Sequence, residues 1–441
     1  MLLEVSIENF NSFSEKQTFT MYANGTGNIL NSTFSAGYYR QNKKIKKIKL
    51  YNTSVIYGLN NSGKSNFIVA VSLIRGIVEY SIKMGLPKSP HYFLLDPKYK
   101  DRPSIFEIVF IAKDNIKYKY SFAFDNIRIY NEKLIGYPKG QEKLYFERKF
   151  NKETNSYTYD TKNLIGNSNT QIDGMKGDTR SDCLFLSMAK ERGNNHLKYV
   201  VEFLTNGLNV MTDFMLYRSN QEAITILEDD DKKANEFKNI FKKLMNDNLI
   251  QDIIVKDGEL GTGERLRMEK ELEESPLEKQ KSIKDKYRQR RKRIKILRKD
   301  SCGNLVEFDL NKMESEGTNN IINLISMFFK IKNNGEVLFF DELDASLHPK
   351  MLILLMKLIY KMNWNVQLIF TAHNTVLLKK MFNVFKKYQV WFVDKDYNGN
   401  SVLYSAGETS VRNEKDLEEL YFNGRFSDIP EDEIIDELKG V

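Results

Sequence analysis

Residues 2–8 (LLEVSIE) alternate apolar and polar positions, the period of a strand with one buried face, and a turn-rich Asn9-Phe10-Asn11-Ser12-Phe13 follows. Similar alternation or short apolar runs recur at 18–21, 104–111 (SIFEIVFI), 118–124 and 143–148. Residues 1–150 therefore read as mostly β, built around one helix that starts near Lys64. From 180 to 250 the apolar positions take helical spacing, with Leu197, Val200, Val201, Phe203 and Leu204 on one face. Residues 256–293 are polar, dense in charge and low in aromatics, which predicts an extended or loosely packed helical insertion. After it, Ile294-Lys295-Ile296-Leu297 and Val306-Glu307-Phe308 flank Asp300-Ser301-Cys302-Gly303-Asn304, the pattern of a hairpin. Two further runs, Glu336-Val337-Leu338-Phe339-Phe340 and Gln367-Leu368-Ile369-Phe370-Thr371, predict buried strands. No internal repeat is visible.

Charge changes the picture at two places. Residues 281–299 (KSIKDKYRQRRKRIKILRK) hold eleven Lys or Arg and one Asp, more than the whole chain's net +8. Such a block is either a solvated helix face or arm, or a footprint for a phosphate backbone or an acidic partner. The stretch 43–49 mixes lysine with isoleucine, as an exposed strand or hairpin edge does to discourage edge pairing. With 441 residues, 41% hydrophobic and 29% charged, the chain fits a globular protein of one large domain or a few ordinary ones. Its richest apolar run, 352–356, is cut by Lys357, and the first residues carry neither the basic nor the apolar part of a signal peptide. A cytoplasmic location without membrane contact is expected. Two cysteines and four histidines give neither a disulfide framework nor metal-ligand spacing.

The candidate chemistry begins at IYGLNNSGKSN, 56–66, where Gly58-x4-Gly63-Lys64-Ser65 stands between an apolar run and an apolar helix, the context a P-loop requires. The loop residues Gly58, Asn60, Asn61, Ser62, Gly63, Lys64, Ser65 and Asn66 would wrap backbone N–H groups around phosphates, with Lys64 adding a charge and Ser65 a hydroxyl for Mg²⁺. ATP and Mg²⁺ are the cofactors expected. Downstream, the strand 336–340 ends in Asp341-Glu342: an aspartate there can hold Mg²⁺ through water, and the adjacent glutamate can polarise a water for attack. LDASLHP (343–349) follows, and after the strand 367–371 comes Ala372-His373-Asn374, whose histidine can sense the γ-phosphate. Upstream of the acids, Glu314-Ser315-Glu316-Gly317-Thr318 precedes an amphipathic helix and makes a second phosphate-ready helix end. One triphosphate needs only one cradle, so the second suggests that two subunits share each nucleotide.

This ordered set (P-loop, Ser-x-Gly-Thr, DE, LDxSLHP, TAHN) resembles the ABC-type ATPase heads of the Rad50, SMC and RecF group. More narrowly, LLEVSIENFNSFSEKQTFTM, HYFLLDP, ESEGTNN, QVWFVDKD and YFNGRFSDIP resemble bacterial RloA-like AAA-family ATPases, related to the ATPase of the phage anti-restriction-induced system and to overcoming-lysogenization-defect proteins. The likeness covers 1–215 and 294–430. It implies an α/β fold, a P-loop ABC-type ATPase head with an N-terminal β-rich lobe and a helical insertion, divided into 1–214, 215–293 and 294–441. It also implies that Asp341 supports Mg²⁺, that Glu342 is the general base and that His373 is the switch. Ser315 and Gly317 would then reach the partner subunit's γ-phosphate, and Asp344 would lie at the dimer seam. Two departures stand out: there is no glutamine between Asn66 and Gly140 to serve the usual Q-loop, and no sustained heptads for a long coiled coil.

The implied function is an ATP-hydrolysing dimeric switch of bacterial antiphage defence that controls a separate effector. A RecF-like DNA-repair clamp binding DNA through 281–299 is one alternative. A nuclease of the overcoming-lysogenization-defect type is another, with Asp394 and Asp396 as its acids. The residues after Asp396 are too few for the metal-dependent nuclease domain, and these acids read as a strand-end turn.

Overall fold

Three strands of this chain, Thr53–Tyr57, Val337–Phe340 and Gln367–Thr371, are buried at every residue. Only a sheet covered on both faces accepts such strands, and parallel sheets are of this kind. In the computed structural model, which describes residues 1–24, 29–39, 45–211, 220–332, 336–345, 347–362, 366–409, 416–424 and 426, they form the centre of a six-stranded sheet. Its order is Leu208–Met211, Val337–Phe340, Gln367–Thr371, Thr53–Tyr57, Val390–Lys395, Ser401–Ser405. The first five run parallel and the last is antiparallel. Their carboxyl ends therefore open on one edge, where ligands bind in α/β sheets.

The chain divides into two compact units, one of Met1–Met211, Lys332–Ala345 and Met356–Val441, the other of Thr212–Ile331 and Ser346–Leu355. Besides the parallel sheet, the first unit holds a seven-stranded antiparallel sheet containing Leu2–Glu8, Gln17–Thr20, Ser104–Ile111, Lys117–Phe124, Ile129–Gly136, Lys143–Asn151 and Ser156–Asp160. In Lys117–Phe124, Tyr118, Tyr120 and Phe122 are buried while Lys117, Lys119 and Ser121 are partly exposed, so the sequence alternation becomes a core face and a wet face. The helix Lys64–Met84 buries Phe67, Ile68, Ala70, Val71, Ile74, Ile77 and Val78, more than one face. One core cluster explains why: it joins these side chains to Phe106, Ile108 and Tyr120 of the antiparallel sheet and to Ile56, Phe339 and Ile369 of the parallel one. At about 1.5–3 kcal/mol for each large apolar side chain taken from water, this helix is the main weld of the unit. The lysine-rich hairpin pairs Thr33–Tyr39 with Ile45–Tyr51, and Lys46, Lys47 and Lys49 are exposed. Lys43 and Lys44 lie outside the described residues.

Two buried ionisable side chains tie sheet to helix. Glu132 and Arg148 stand opposite one another on neighbouring strands, both fully buried. Glu132 accepts from the Phe185 and Leu186 amides at 2.6 and 2.8 Å and from the Tyr120 hydroxyl at 2.9 Å, so it caps the helix Phe185–Glu191. Arg148 donates to the Cys183 and Arg180 carbonyls at 2.6 and 2.8 Å. Burial pushes the Glu132 carboxyl above its ordinary pKa, and the Arg148 charge opposes that shift.

The second unit has a three-stranded sheet with Lys292–Lys299 between Ile250–Asp257 and Leu305–Asp309. The helices Gln221–Glu228, Asp231–Met245 and Glu316–Ile331 contact one another. Between two of its strands run Thr262–Glu273, which buries nothing, and Leu277–Arg291. Two expectations need correction. The helical reading of 180–250 fails at Leu208–Met211, a short apolar run whose period could not tell a strand from a helix. The basic block is not one arm: it divides at Arg291, and its second half is the central strand, where Ile294 and Ile296 alternate with charges. Among the described residues no helix is long and apolar enough to cross a membrane.

Candidate active site

Tyr57 ends the P-loop strand, and the chain turns at once through Gly58. A side chain there would place its Cβ 2.2 Å from the Val393 carbonyl oxygen. Gly63 has φ 117°, and a Cβ on it would stand 2.4 Å from Ser401 Oγ and 2.7 Å from Ser12 Oγ. Both positions need glycine for close approach, and Gly63 needs it for conformation as well. Asn61 adds a left-handed φ of 63°. The helix starts at Lys64, so its first N–H groups face the loop.

Lys64 is buried, and its Nζ donates to the carbonyls of Gly58 at 2.8 Å and Leu59 at 2.9 Å. An ammonium has three protons, so two of them fix its position and the third remains for a phosphate. Burial lowers the Lys64 pKa, whereas the charges of Glu342, Asp341 and Asp344, in that order, raise it. The three acids predicted from the sequence are thus brought to the P-loop lysine. Ser62 and Gly63 are buried with Lys64, while Asn60, Asn61 and Ser65 are exposed. Asn66 donates to Ser12 Oγ at 2.8 Å and accepts from Asn11 Nδ2 at 3.3 Å. Ser401 Oγ donates to the Ser62 carbonyl, and its N–H donates to the Ser12 carbonyl at 2.7 Å. Ser12 and Ser401, which no motif marks, brace the loop from far along the chain.

On the acid side, Asp341 and Glu342 follow the strand Val337–Phe340, next to Gln367–Thr371. The fully buried Thr371 serves both: its Oγ1 donates to Asp341 Oδ1 at 2.6 Å and accepts from the Glu342 N–H at 2.7 Å. Glu342 has φ 54°, the left-handed region that non-glycine residues enter at about 1–2 kcal/mol. Asp344 Oδ2 accepts from the N–H of His373 at 2.8 Å and from that of Asn374, so it shapes the histidine loop of its own chain. Asp344 Oδ1 is buried with no hydrogen-bond partner among the described residues. His373 Nε2 lies 3.4 Å from Glu342 Oε1, and both side chains are nearly half exposed. The Tyr57 hydroxyl donates to the Asn374 carbonyl at 2.9 Å, linking the P-loop strand to that loop. Burial, then the Asp344 charge, keeps this phenol protonated by raising its pKa well above the usual value. Thr371 was legible only as the last residue of a strand. Ser346 of the LDASLHP stretch lies outside the described residues.

Ser315 and Gly317 belong to the second unit. Ser315 Oγ accepts from the Thr318 N–H at 3.3 Å and lies 3.0 Å from Thr318 Oγ1, which makes it the cap of Glu316–Ile331. Ser315 and Glu316 are exposed. Asp396 uses its carboxylate on the N–H groups of Asn398 and Asn400, both at 2.9 Å, which closes the turn before Ser401–Ser405.

Mg²⁺ asks for one or two protein oxygens beside those of phosphate and water. The exposed Ser65 hydroxyl and an Asp341 carboxylate oriented by Thr371 fit that demand.

The chain belongs to the family described as "AAA domain, putative AbiEii toxin, Type IV TA system", which matches residues 54–168 and 189–379. No curated protein matches it. Among solved structures it is similar to the SMC head domain from Thermotoga maritima, with 13% identity over 92% of this chain and 98% of that one and a TM-score of 0.42. It is also similar to the SmcHead bound to the C-winged helix domain of ScpA, with 15% identity over 92% and 97% of the two chains and a TM-score of 0.44. For the recombination mediator protein RecF with ATP the identity is 16% over 92% and 99%, and the TM-score 0.36.

Two outcomes are expected of the acid side. Glu342→Gln should keep ATP binding and slow turnover by about 10² or more, the usual loss when a general base is removed; parental hydrolysis would remove Glu342 from that role. Thr371→Val, which keeps shape and loses the hydroxyl, should lower kcat by about tenfold or more. It should also weaken the Mg²⁺-dependent part of the affinity for a non-hydrolysable ATP analogue, and Thr371→Ser should restore both. Equal losses in the serine variant would instead assign Thr371 to packing.

Proposed function

We propose that this AAA-family chain is an ATP-hydrolysing switch that closes as a homodimer over two shared nucleotides and governs a separately encoded effector in antiphage defence. The observation that carries the reading is the convergence of Glu342, Asp341 and Asp344 on the buried Lys64, with His373 beside Glu342. In this reading Lys64 and the loop N–H groups bind and orient the triphosphate. Bound Mg²⁺, held through Ser65 and Asp341, supplies charge neutralisation at the phosphates. Glu342 takes the proton of the attacking water, and His373 follows the γ-phosphate. Ser315 and Gly317, at the N-terminal end of a 16-residue helix, offer N–H groups to the nucleotide of the partner subunit. A role in defence agrees with the family's description as a putative AbiEii toxin of a type IV TA system.

Mixing tests the shared site. Lys64→Ala should abolish ATP binding, and Ser315→Arg should bind ATP without hydrolysing it. A mixed dimer keeps one site with Lys64 on one side and an intact Ser315 on the other, so partial activity should return. No recovery over a range of ratios, with mixed dimers shown by two tags, would refute the shared site. In cells carrying the gene with its neighbours, Lys64→Ala should also abolish protection against phage, and unchanged plating would refute the defence role.

DNA as a further ligand has support from the first half of the basic block, where Lys281, Lys284 and Arg288 are exposed on the helix Leu277–Arg291. Changing Lys284 and Arg288 to glutamate should weaken DNA binding and flatten its salt dependence, because fewer counterions are released. Unaltered binding at two salt concentrations would return the helix to a solvated surface.

A further inference from the structure

The second half of the basic block behaves differently from the first. We infer that Arg298 is a positioning residue for the signature segment, and through it for hydrolysis of the ATP held by the partner subunit; this rests on the shared-site reading above. Along Lys292–Lys299 the side chains alternate, and Ile294 and Ile296 are buried on one face. Arg298 has the same parity, so its guanidinium turns toward the covered side, and only 17% of the side chain is exposed. There its Nε donates to Asp247 Oδ2 at 3.2 Å, and Nη1 and Nη2 donate to the two oxygens of Glu314, the latter at 3.2 Å. The Glu314 side chain is 6% exposed and immediately precedes Ser315. A two-pronged guanidinium–carboxylate contact fixes direction as well as distance, which a lysine could not do.

A second cation holds the other end of the same segment. Lys295, on the opposite face, donates to Asp309 Oδ2 at 2.8 Å, and Asp309 Oδ1 caps the short helix Leu310–Met313 through the Asn311 N–H at 3.1 Å. Asn319, in the helix after the signature, donates to the Leu310 carbonyl at 3.0 Å. The stretch 309–315 is thus pinned to the basic strand before and after its one helical turn. Loss of the Arg298 guanidinium leaves a nearly buried carboxylate without its main partner, and moving that carboxylate toward water carries Ser315 with it. On the helix Leu277–Arg291 the exposed Lys286 pairs with Glu271 at 2.9 Å instead, so the two halves of one charge run serve separate ends.

The test uses the full chain. Arg298→Met should keep ATP affinity and KM within about twofold, since the P-loop lies in the other unit, while kcat falls by about tenfold or more. ATP-driven dimerisation should weaken, and Arg298→Lys should fall between. Glu314→Gln, which relieves the buried charge, should give the same loss and add nothing in the double variant. Mixed with Lys64→Ala chains, whose signature is intact, Arg298→Met chains should regain activity, a rescue that a merely misfolded chain cannot show. Parental turnover in Arg298→Met overturns the inference. So does an inactive Arg298→Met that Lys64→Ala cannot rescue while it does rescue Ser315→Arg. If Ser315→Arg is not rescued either, the shared site itself has failed, and the inference falls with it.

Discussion

An ammonium kept out of water sets the terms for the rest of this molecule. Lys64 is 5% exposed, and a charge at that depth survives only with hydrogen bonds and opposite charge around it. The hydrogen bonds come from the Gly58 and Leu59 carbonyls, within the loop itself. The charge comes from Asp341, Glu342 and Asp344, almost three hundred residues away in the chain. What brings them together is strand register. Thr371 pairs with Ile56 and Phe340 with Phe370, so the acids and the histidine loop emerge one step beyond the strand ends, beside the P-loop. A slip of one residue would turn each buried side chain to the other face of its strand. The complete burial of these strands is therefore what holds the acids to the lysine.

Small hydroxyl residues finish what register begins. Backbone packed as closely as Gly58 and Gly63 demand leaves room at the contact for serine or threonine and little else. Ser12 and Ser401 brace the loop, and Thr371 joins Asp341 and Glu342 through one oxygen. That oxygen also holds the left-handed backbone of Glu342, where the cost of the conformation must be met by neighbours. The two acids are thus placed by a hydroxyl that carries no charge of its own.

Local pattern was enough for the alternating strands 2–8 and 104–111, for the buried runs and for the P-loop, because each is dictated by neighbours in sequence. It was not enough where a distant partner overrides it. Ile129–Gly136 did not read as a strand, since Glu132 sits at a core position, where the Tyr120 hydroxyl, the Phe185 and Leu186 amides and the Arg148 charge meet it. The roles of Ser12 and Ser401 depend on a contact across hundreds of residues, and that of Thr371 on a neighbouring strand about thirty residues away, so no spacing rule exposes them. The charge run 281–299 misled for a related reason: counted together its cations resemble one footprint, yet Lys292, Lys295 and Arg298 are engaged with Glu228, Asp309, Asp247 and Glu314.

On the shared-site reading, charge balance also bears on why one copy of this chain would not hydrolyse ATP alone. The charged groups that act on Lys64 are three carboxylates, and a triphosphate adds further negative charge to the same place. Loop N–H groups and the start of the helix Lys64–Met84 would offset part of it through their dipoles, and Mg²⁺ held at Ser65 and Asp341 would offset more. In the proposed reaction, charge that develops on the γ-phosphate during attack would still lie in a site where Asp341 and Asp344 keep their negative charge. On the shared-site reading, the helix end at Ser315 supplies the missing positive potential, and supplies it only when a second subunit closes. Hydrolysis is then tied to assembly by electrostatics rather than by a moving catalytic group. The ion pairs that fix Ser315 to the basic strand accordingly belong to the chemistry of the neighbouring site as much as to the stability of their own unit.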